Sequence, residues 1–153
     1  MSERVKIVVP GDDPVQIAGS PHLDRLAPYG DVVVYDRRPA DRGEKIARAA
    51  GAQILINSRG SVTWRAEELR ALPELKMITT CSIGTDMVDL VVAKELGVVV
   101  AHEPGRTAPV VAEHMFGLMF ALAKHAHFQT AELKAGRWTR QMNIMLQKKV
   151  LGI

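Results

Sequence analysis

The 153 residues contain a single cysteine, Cys81. An internal disulfide is therefore excluded, and one unpaired thiol suits a reducing cytoplasm. Blocks of like charge are missing too. Lys and Arg are spread among Asp and Glu, the net charge is only +3, and no basic stripe of the kind that binds nucleic acid is present. No stretch reads as a membrane span: the most apolar one, residues 108–123, carries Glu113 and His114 and falls short of the ~20 residues a bilayer needs. The opening Met1-Ser2-Glu3-Arg4-Val5-Lys6 has no secretory core and leads directly into a β-branched run. Zinc spacing is absent, because His102-Glu103 and Glu113-His114 lack a Cys or His partner at a workable distance. His125 and His127 stand two apart on a helix, hence on opposite faces. There are no repeats and no low-complexity tracts.

What is there is an alternation of two periods. Short β-branched runs at 5–9, 31–35, 53–57, 76–80 and 97–101 predict strands. Between them lie helical patterns, one starting near Asp13-Pro14, one over 41–50 ended by Gly51, one over 65–72 stopped by Pro73, and one of about two turns ended by Gly97. Strands alternating with helices at this spacing predict an α/β fold, a doubly wound parallel sheet over residues 1–101 with flavodoxin-like strand order.

Residues 102–147 read differently. From 109 to 128 the chain is apolar almost all round, and such a helix is expected to be enclosed on every side. A polar helix continues over 131–135 to Gly136. Lys148-Lys149-Val150-Leu151-Gly152-Ile153 then reads as the start of a further strand.

The rest is organised around residues 77–114. Ligands of open α/β sheets sit at the carboxyl ends of strands, so the loops 81–86 and 102–108 are candidate walls of one crevice. Gly84 lets a backbone approach a ligand and permits positive φ; the turn is equally consistent with a plain helix N-cap at Thr85 or Asp86. Cys81 fits a small buried hydrophobe, and Glu113, buried in prospect, needs a hydrogen-bond or cationic partner. Asp12-Asp13 after the first strand is similar to the acidic pocket of response-regulator receivers. That reading needs an aspartate where Asn57-Ser58 stands and a lysine where Ala101-His102 stands.

Ser82-Ile83-Gly84-Thr85-Asp86-Met87-Val88-Asp89-Leu90 resembles the Gly-x-Gly-x-Asp-Asn-Ile-Asp-Leu loop of the D-isomer-specific 2-hydroxyacid dehydrogenases. His102-Glu103-Pro104-Gly105 followed by Val111-Ala112-Glu113-His114 resembles that family's Asn-x-Pro-Gly…Val-Ala-Glu-His segment, at the right distance. Leu75-Lys76 and Gly136-Arg137-Trp138 also match, while Ser82 and Met87 depart from the usual glycine and asparagine. The resemblance implies a substrate-side domain of an oxidoreductase that moves a hydride between NAD or NADP and a 2-keto or D-2-hydroxy acid. It implies a carboxylate held by the backbone N–H groups of Ile83 and Gly84, a substrate-facing loop Arg59-Gly60-Ser61, and Val111 against the nicotinamide.

A homo-oligomer and a small-molecule acid are the implied partners; no metal is implied. The family's catalytic histidine, its carboxylate partner and its substrate-binding arginine match no position here, so no catalytic residue is carried over. In the family the strand Val-Leu-Gly-Ile runs into a Gly-x-Gly-x-x-Gly fingerprint that these 153 residues do not contain. The expectation is a piece that stops at the start of the nucleotide-binding domain and is inactive alone. The alternative is a non-catalytic module that binds small anions or dimerises.

Overall fold

Five runs rich in Val, Ile and Leu build one sheet: β1 (Val5–Val9), β2 (Gly30–Val34), β3 (Ile54–Asn57), β4 (Met77–Thr80) and β5 (Val99–Ala101). Their order is β2-β1-β3-β4-β5 and every pair is parallel. This is the flavodoxin-like order expected, with its topological switch point between β1 and β3. The register sets Asn57 beside Thr80, so the loops leaving β3 and β4 start level with one another. This computed structural model describes residues 4–152. The chain divides into two units, Met1–Pro104 and Gly105–Ile153.

The sheet belongs to the first unit, and the core lies on it. Val8, Leu55 and Ile78 are fully buried against Trp64, Leu69, Leu72, Leu75, Val92 and Val98. Helices α1 (Arg42–Ala49), α2 (Ala66–Arg70) and α3 (Leu90–Glu95) connect the strands. Asp41 caps α1 by accepting the Glu44 N–H at 2.8 Å, and Glu44 reaches back to the Ala40 N–H at 2.6 Å. Asp89 caps α3 through the Val92 N–H at 3.1 Å. Arg48 on α1 is buried: its guanidinium donates to Pro10 O at 2.7 Å and Arg37 O at 2.6 Å and lies over the Tyr35 ring.

The helix expected near Asp13-Pro14 does not form. Acid followed by proline does mark helix starts, but here one oxygen of the buried Asp12 gathers the N–H groups of Gln16, Ile17 and Ala18 at 2.7–2.9 Å. Gly19, at φ +75°, and then Pro21 turn the chain before a helix can propagate. Only a short 3-10 segment, Leu23–Arg25, follows. Nor is the N-cap of α3 at Thr85 or Asp86; it is Asp89, after a turn that ends in a bridge between Trp64 and Val88.

The second unit is helical. In place of one long helix over 109–128 there are two, α4 (Ala108–Ala123) and α5 (Ala126–Lys134), broken where His125 takes a left-handed φ of +51°. The segment after α5 returns to that break, with Ile144 N–H on Ala123 O at 2.9 Å and Lys124 Nζ on Ile144 O at 2.8 Å. The enclosure expected of α4 is not provided within the second unit: Val110, Leu118, Phe120 and Leu122 are exposed, and so is Glu113. The strand expected over 148–153 is not formed among the described residues, and Ile153 lies outside them. A strand needs a neighbour to take up its N–H and C=O groups, and the second unit has no other strand among its described residues.

Candidate functional site

The carboxyl edge of the sheet brings together the ends of four strands. Asp12 follows β1, residues 58–61 follow β3, residues 81–86 follow β4, and His102-Glu103 follow β5. The loop after β3 is closed by Asn57, whose amide donates to Val62 O at 2.8 Å. It crosses the β1/β3 switch point through Ser61, whose hydroxyl donates to Gly11 O. Arg59 and Gly60 both sit at positive φ, +44° and +69°. A Cβ on Gly60 would also stand 2.9 Å from Met87 Cγ, so this position requires glycine on two counts.

The two loops are stitched side by side. Trp64 N–H donates to Met87 O at 2.6 Å and Asp89 N–H to Trp64 O at 2.9 Å. The Thr63 hydroxyl reaches Met87 Sδ at 3.4 Å, and Arg65 donates to Asp86 O at 3.2 Å. Within the turn after β4, the Ser82 hydroxyl donates to Gly84 O at 3.1 Å. From the β5 side, Glu103 N–H donates to Ser82 O at 3.0 Å, and His102 Nδ1 lies 2.9 Å from Ile83 O. Gly84 is not at positive φ. What it provides is room, since a Cβ there would stand 2.6 Å from Asp86 Oδ1.

Of the expected binding residues, Arg59, Gly60, Ser61, Ile83 and Gly84 share this edge of the first unit. Among the described residues the N–H groups of Arg59, Gly60, Ile83 and Gly84 donate to no backbone carbonyl. The exposed Arg59 side chain forms no ion pair among them either. Ser61 is different: its N–H is on Ser58 O at 2.8 Å and its hydroxyl on Gly11 O, so both donors are committed to holding the loop. Val111 lies on α4 in the second unit, 63% exposed.

Cys81, expected to be buried, is exposed. Desolvation first, then the carboxylates of Glu103 and Asp12, push its thiol up from the ordinary cysteine value, which leaves it a poor nucleophile. Burial would raise the Asp12 carboxyl, but the N–H groups of Ala18, Gln16 and Ile17 outweigh it and hold the group below its ordinary value. Asp12 is therefore a structural anion of its own loop. Among the described residues no cluster of three His, Cys, Asp or Glu side chains could hold a metal ion, and no strand–glycine turn–helix suited to a dinucleotide is present.

Sequence reasoning named the turn but missed the residues that fasten it, Ser82 and His102. The signal was available in part: both stand where the resembled motifs carry another residue.

The model of the D-isomer specific 2-hydroxyacid dehydrogenase catalytic domain matches residues 12–142. The chain belongs to this family. It is 38% identical over 99 residues to the hydroxypyruvate reductase of Thermotoga maritima, a match covering 65% of this chain and 31% of that protein. It is 30% identical over 138 residues to the chloroplastic D-3-phosphoglycerate dehydrogenase 2 of Arabidopsis thaliana, covering 88% and 22% respectively. A crystal structure of an NADPH-dependent glyoxylate/hydroxypyruvate reductase from Sinorhizobium meliloti, with NADP and malonate, superposes with a TM-score of 0.69 over 95% of this chain and 44% of that one. At 24% identity that likeness speaks for the fold alone. The chain spans less than half the length of each of these proteins.

Proposed function

We propose that this 2-hydroxyacid dehydrogenase chain is a substrate-side domain that holds the carboxylate of a 2-keto or D-2-hydroxy acid at the carboxyl edge of its sheet. The reaction it serves is hydride exchange at C2 of that acid with NAD or NADP, in the cytoplasm. The observation that carries the reading is the set of donors left without a partner among the described residues on two adjoining loops: the N–H groups of Ile83 and Gly84 on one, and those of Arg59 and Gly60 with the Arg59 guanidinium on the other. Successive backbone N–H groups in a turn make an anion-binding concavity, and a guanidinium matches a carboxylate. Val111 offers an exposed apolar side chain suited to a flat nicotinamide ring. The dinucleotide fingerprint is not among these residues, so the chain's own part is to bind and orient the acid.

The test is a titration of the 15N-labelled chain with pyruvate. Shifts at the amides of Ile83, Gly84 and Gly60 are expected, and their loss in Gly84→Val, whose side chain blocks approach and displaces the Asp86 carboxylate. Equal binding by both proteins would remove the site. The 153 residues alone are expected not to oxidise NADH with glyoxylate, pyruvate or hydroxypyruvate. A turnover on the order of one per second, an ordinary enzyme rate, would overturn the assignment.

Self-association belongs to the same reading. Soluble monomers rarely expose apolar patches beyond a few hundred Å², and α4 exposes Val110, Val111, Leu118, Phe120 and Leu122. A homo-oligomer built on this helix is expected in sedimentation at micromolar concentration, and a shift to monomer with Leu122→Lys. A monomeric wild type would rule it out.

A further inference from the structure

We infer that His102 tightens the grip of the Ile83–Gly84 turn on a carboxylate when its imidazole is protonated, so that anion binding strengthens as the pH falls. This rests on the anion-site reading above and adds to it a residue and a pH dependence.

His102 Nδ1 stands 2.9 Å from Ile83 O. A carbonyl can only accept, so Nδ1 carries the hydrogen, and it does so in the imidazolium and in one neutral tautomer alike. The contact therefore survives titration, and what changes is the charge behind it. The chain on which the ring sits is fastened to the same turn a second time, by Glu103 N–H on Ser82 O at 3.0 Å.

The peptide between Ile83 and Gly84 is trans. In a trans peptide the C=O and the N–H belong to one planar unit and point in opposite directions. A donor on Ile83 O therefore polarises the Gly84 N–H on the far side, and hydrogen bonds in series strengthen one another. With a full positive charge on the imidazole, the donor is charge-assisted and the effect on the Gly84 N–H is greater. The direct attraction between imidazolium and bound carboxylate has the same sign.

Two arginines border the turn, Arg65 donating to Asp86 O at 3.2 Å and Arg59 on the adjoining loop, and four further ionisable groups lie with them. Asp86 lies against Gly84, Glu103 adjoins His102 in sequence, and Glu103 and Asp12 both bear on the Cys81 thiol. Carboxyl groups ordinarily titrate near 4, whereas imidazole is the side chain whose ordinary range falls between about pH 5 and 8. The Cys81 thiol is pushed up, away from neutrality. The carboxylates repel an incoming anion at neutral pH, and a protonated His102 offsets them.

The experiment is a titration of the chain with pyruvate at pH 5.5 and pH 8.0, followed by calorimetry and by the Gly84 amide shift. For wild type, affinity about two- to fivefold tighter at the lower pH is expected, the scale of one exposed charge pair. His102→Asn keeps a donor for Ile83 O without the charge. It is expected to bind as the wild type does at pH 8.0, and equally at both pH values. His102→Ala, which loses the donor as well, is expected to bind more weakly than His102→Asn at both. A wild type indifferent to pH, or a rise retained in His102→Asn, overturns the role of His102 and leaves the anion site standing. Failure of the wild type to bind pyruvate at either pH removes the site and this inference together.

Discussion

In the first unit Val8, Leu55, Trp64 and Ile78 are fully buried, whereas in the second Leu118, Phe120 and Leu122 of an equally apolar helix stand more than half exposed. The difference lies in what surrounds each element. A five-stranded sheet with helices on its faces closes over its own interior. A helix that is apolar all round cannot be covered by one neighbour, because a single helix–helix contact occupies only a stripe of its circumference. Hydrophobicity in a sequence therefore says that a surface must be covered; it does not say whether the same chain covers it.

The widest separation between the two regions should appear on side-chain truncation. Trp64 has no exposed surface, and Trp64→Ala is expected to destabilise the fold by about 3–5 kcal/mol in urea unfolding followed by circular dichroism. Leu122 is 76% exposed, and under conditions where the chain is monomeric Leu122→Ala should change stability by no more than about 0.5 kcal/mol. Comparable losses from both would show that α4 is covered within its own chain.

A second contrast concerns charge. In the first unit Lys45 Nζ lies 2.7 Å from Glu68 Oε1, both side chains almost fully covered, and also donates to Thr63 O at 2.8 Å. In the second unit the Arg137–Glu132 pair leaves its arginine exposed. Lys45→Met strands a buried carboxylate oxygen and a carbonyl, with an expected loss of roughly 3 kcal/mol; Arg137→Met should lose less than about 1 kcal/mol. Burial would raise the Glu68 carboxyl, but Lys45 and backbone hydrogen bonds outweigh it and the folded value lies below 4.5. Its contribution is thus complete above pH 4.5 and drains away as the pH falls through the folded value. Urea midpoints of wild type and Lys45→Met should converge as the pH is lowered below that point. Midpoints that stay equally far apart would sever the pair from the acid limb.

Much of the first unit was legible. The five strands announce themselves as β-branched runs between turn residues, and the βα spacing leads to the observed order. The first crossover misled because acid followed by proline marks helix starts, while three N–H groups falling on one Asp12 oxygen leave no local pattern. In the candidate site, Ile83 and Gly84 were named through the motif that contains them. His102 was not, because its partner carbonyl lies on another strand end and only the register of β4 and β5 brings the two together. The burial of Cys81 and Glu113 was misjudged for the reason that separates the units: composition fixes neither what lies above a loop nor what lies beside a helix.

The smallest expected effect sharpens the same comparison at the helix ends. The first four N–H groups of a helix have no partner within it, and a side-chain oxygen at the N-cap satisfies one of them. In the first unit Asp89 does this for α3, accepting the Val92 N–H at 3.1 Å, and Val92 and Ala93 of that short helix are buried in the core. In the second, Thr107 at the start of α4 makes no such bond, its backbone is already helical, and proline follows within the first turn. Asp89→Ala removes an acceptor while its N–H can stay on Trp64 O, so the loss should be about 1 kcal/mol. Thr107→Ala removes nothing the helix uses and should change stability by less than about 0.5 kcal/mol. Amide exchange at Val92 reads the first directly: it should quicken about fivefold in Asp89→Ala, the factor that 1 kcal/mol sets. Exchange at Val92 unchanged in Asp89→Ala would mean that packing of Val92 and Ala93 holds α3 without its cap, and that the two units end their helices in the same way.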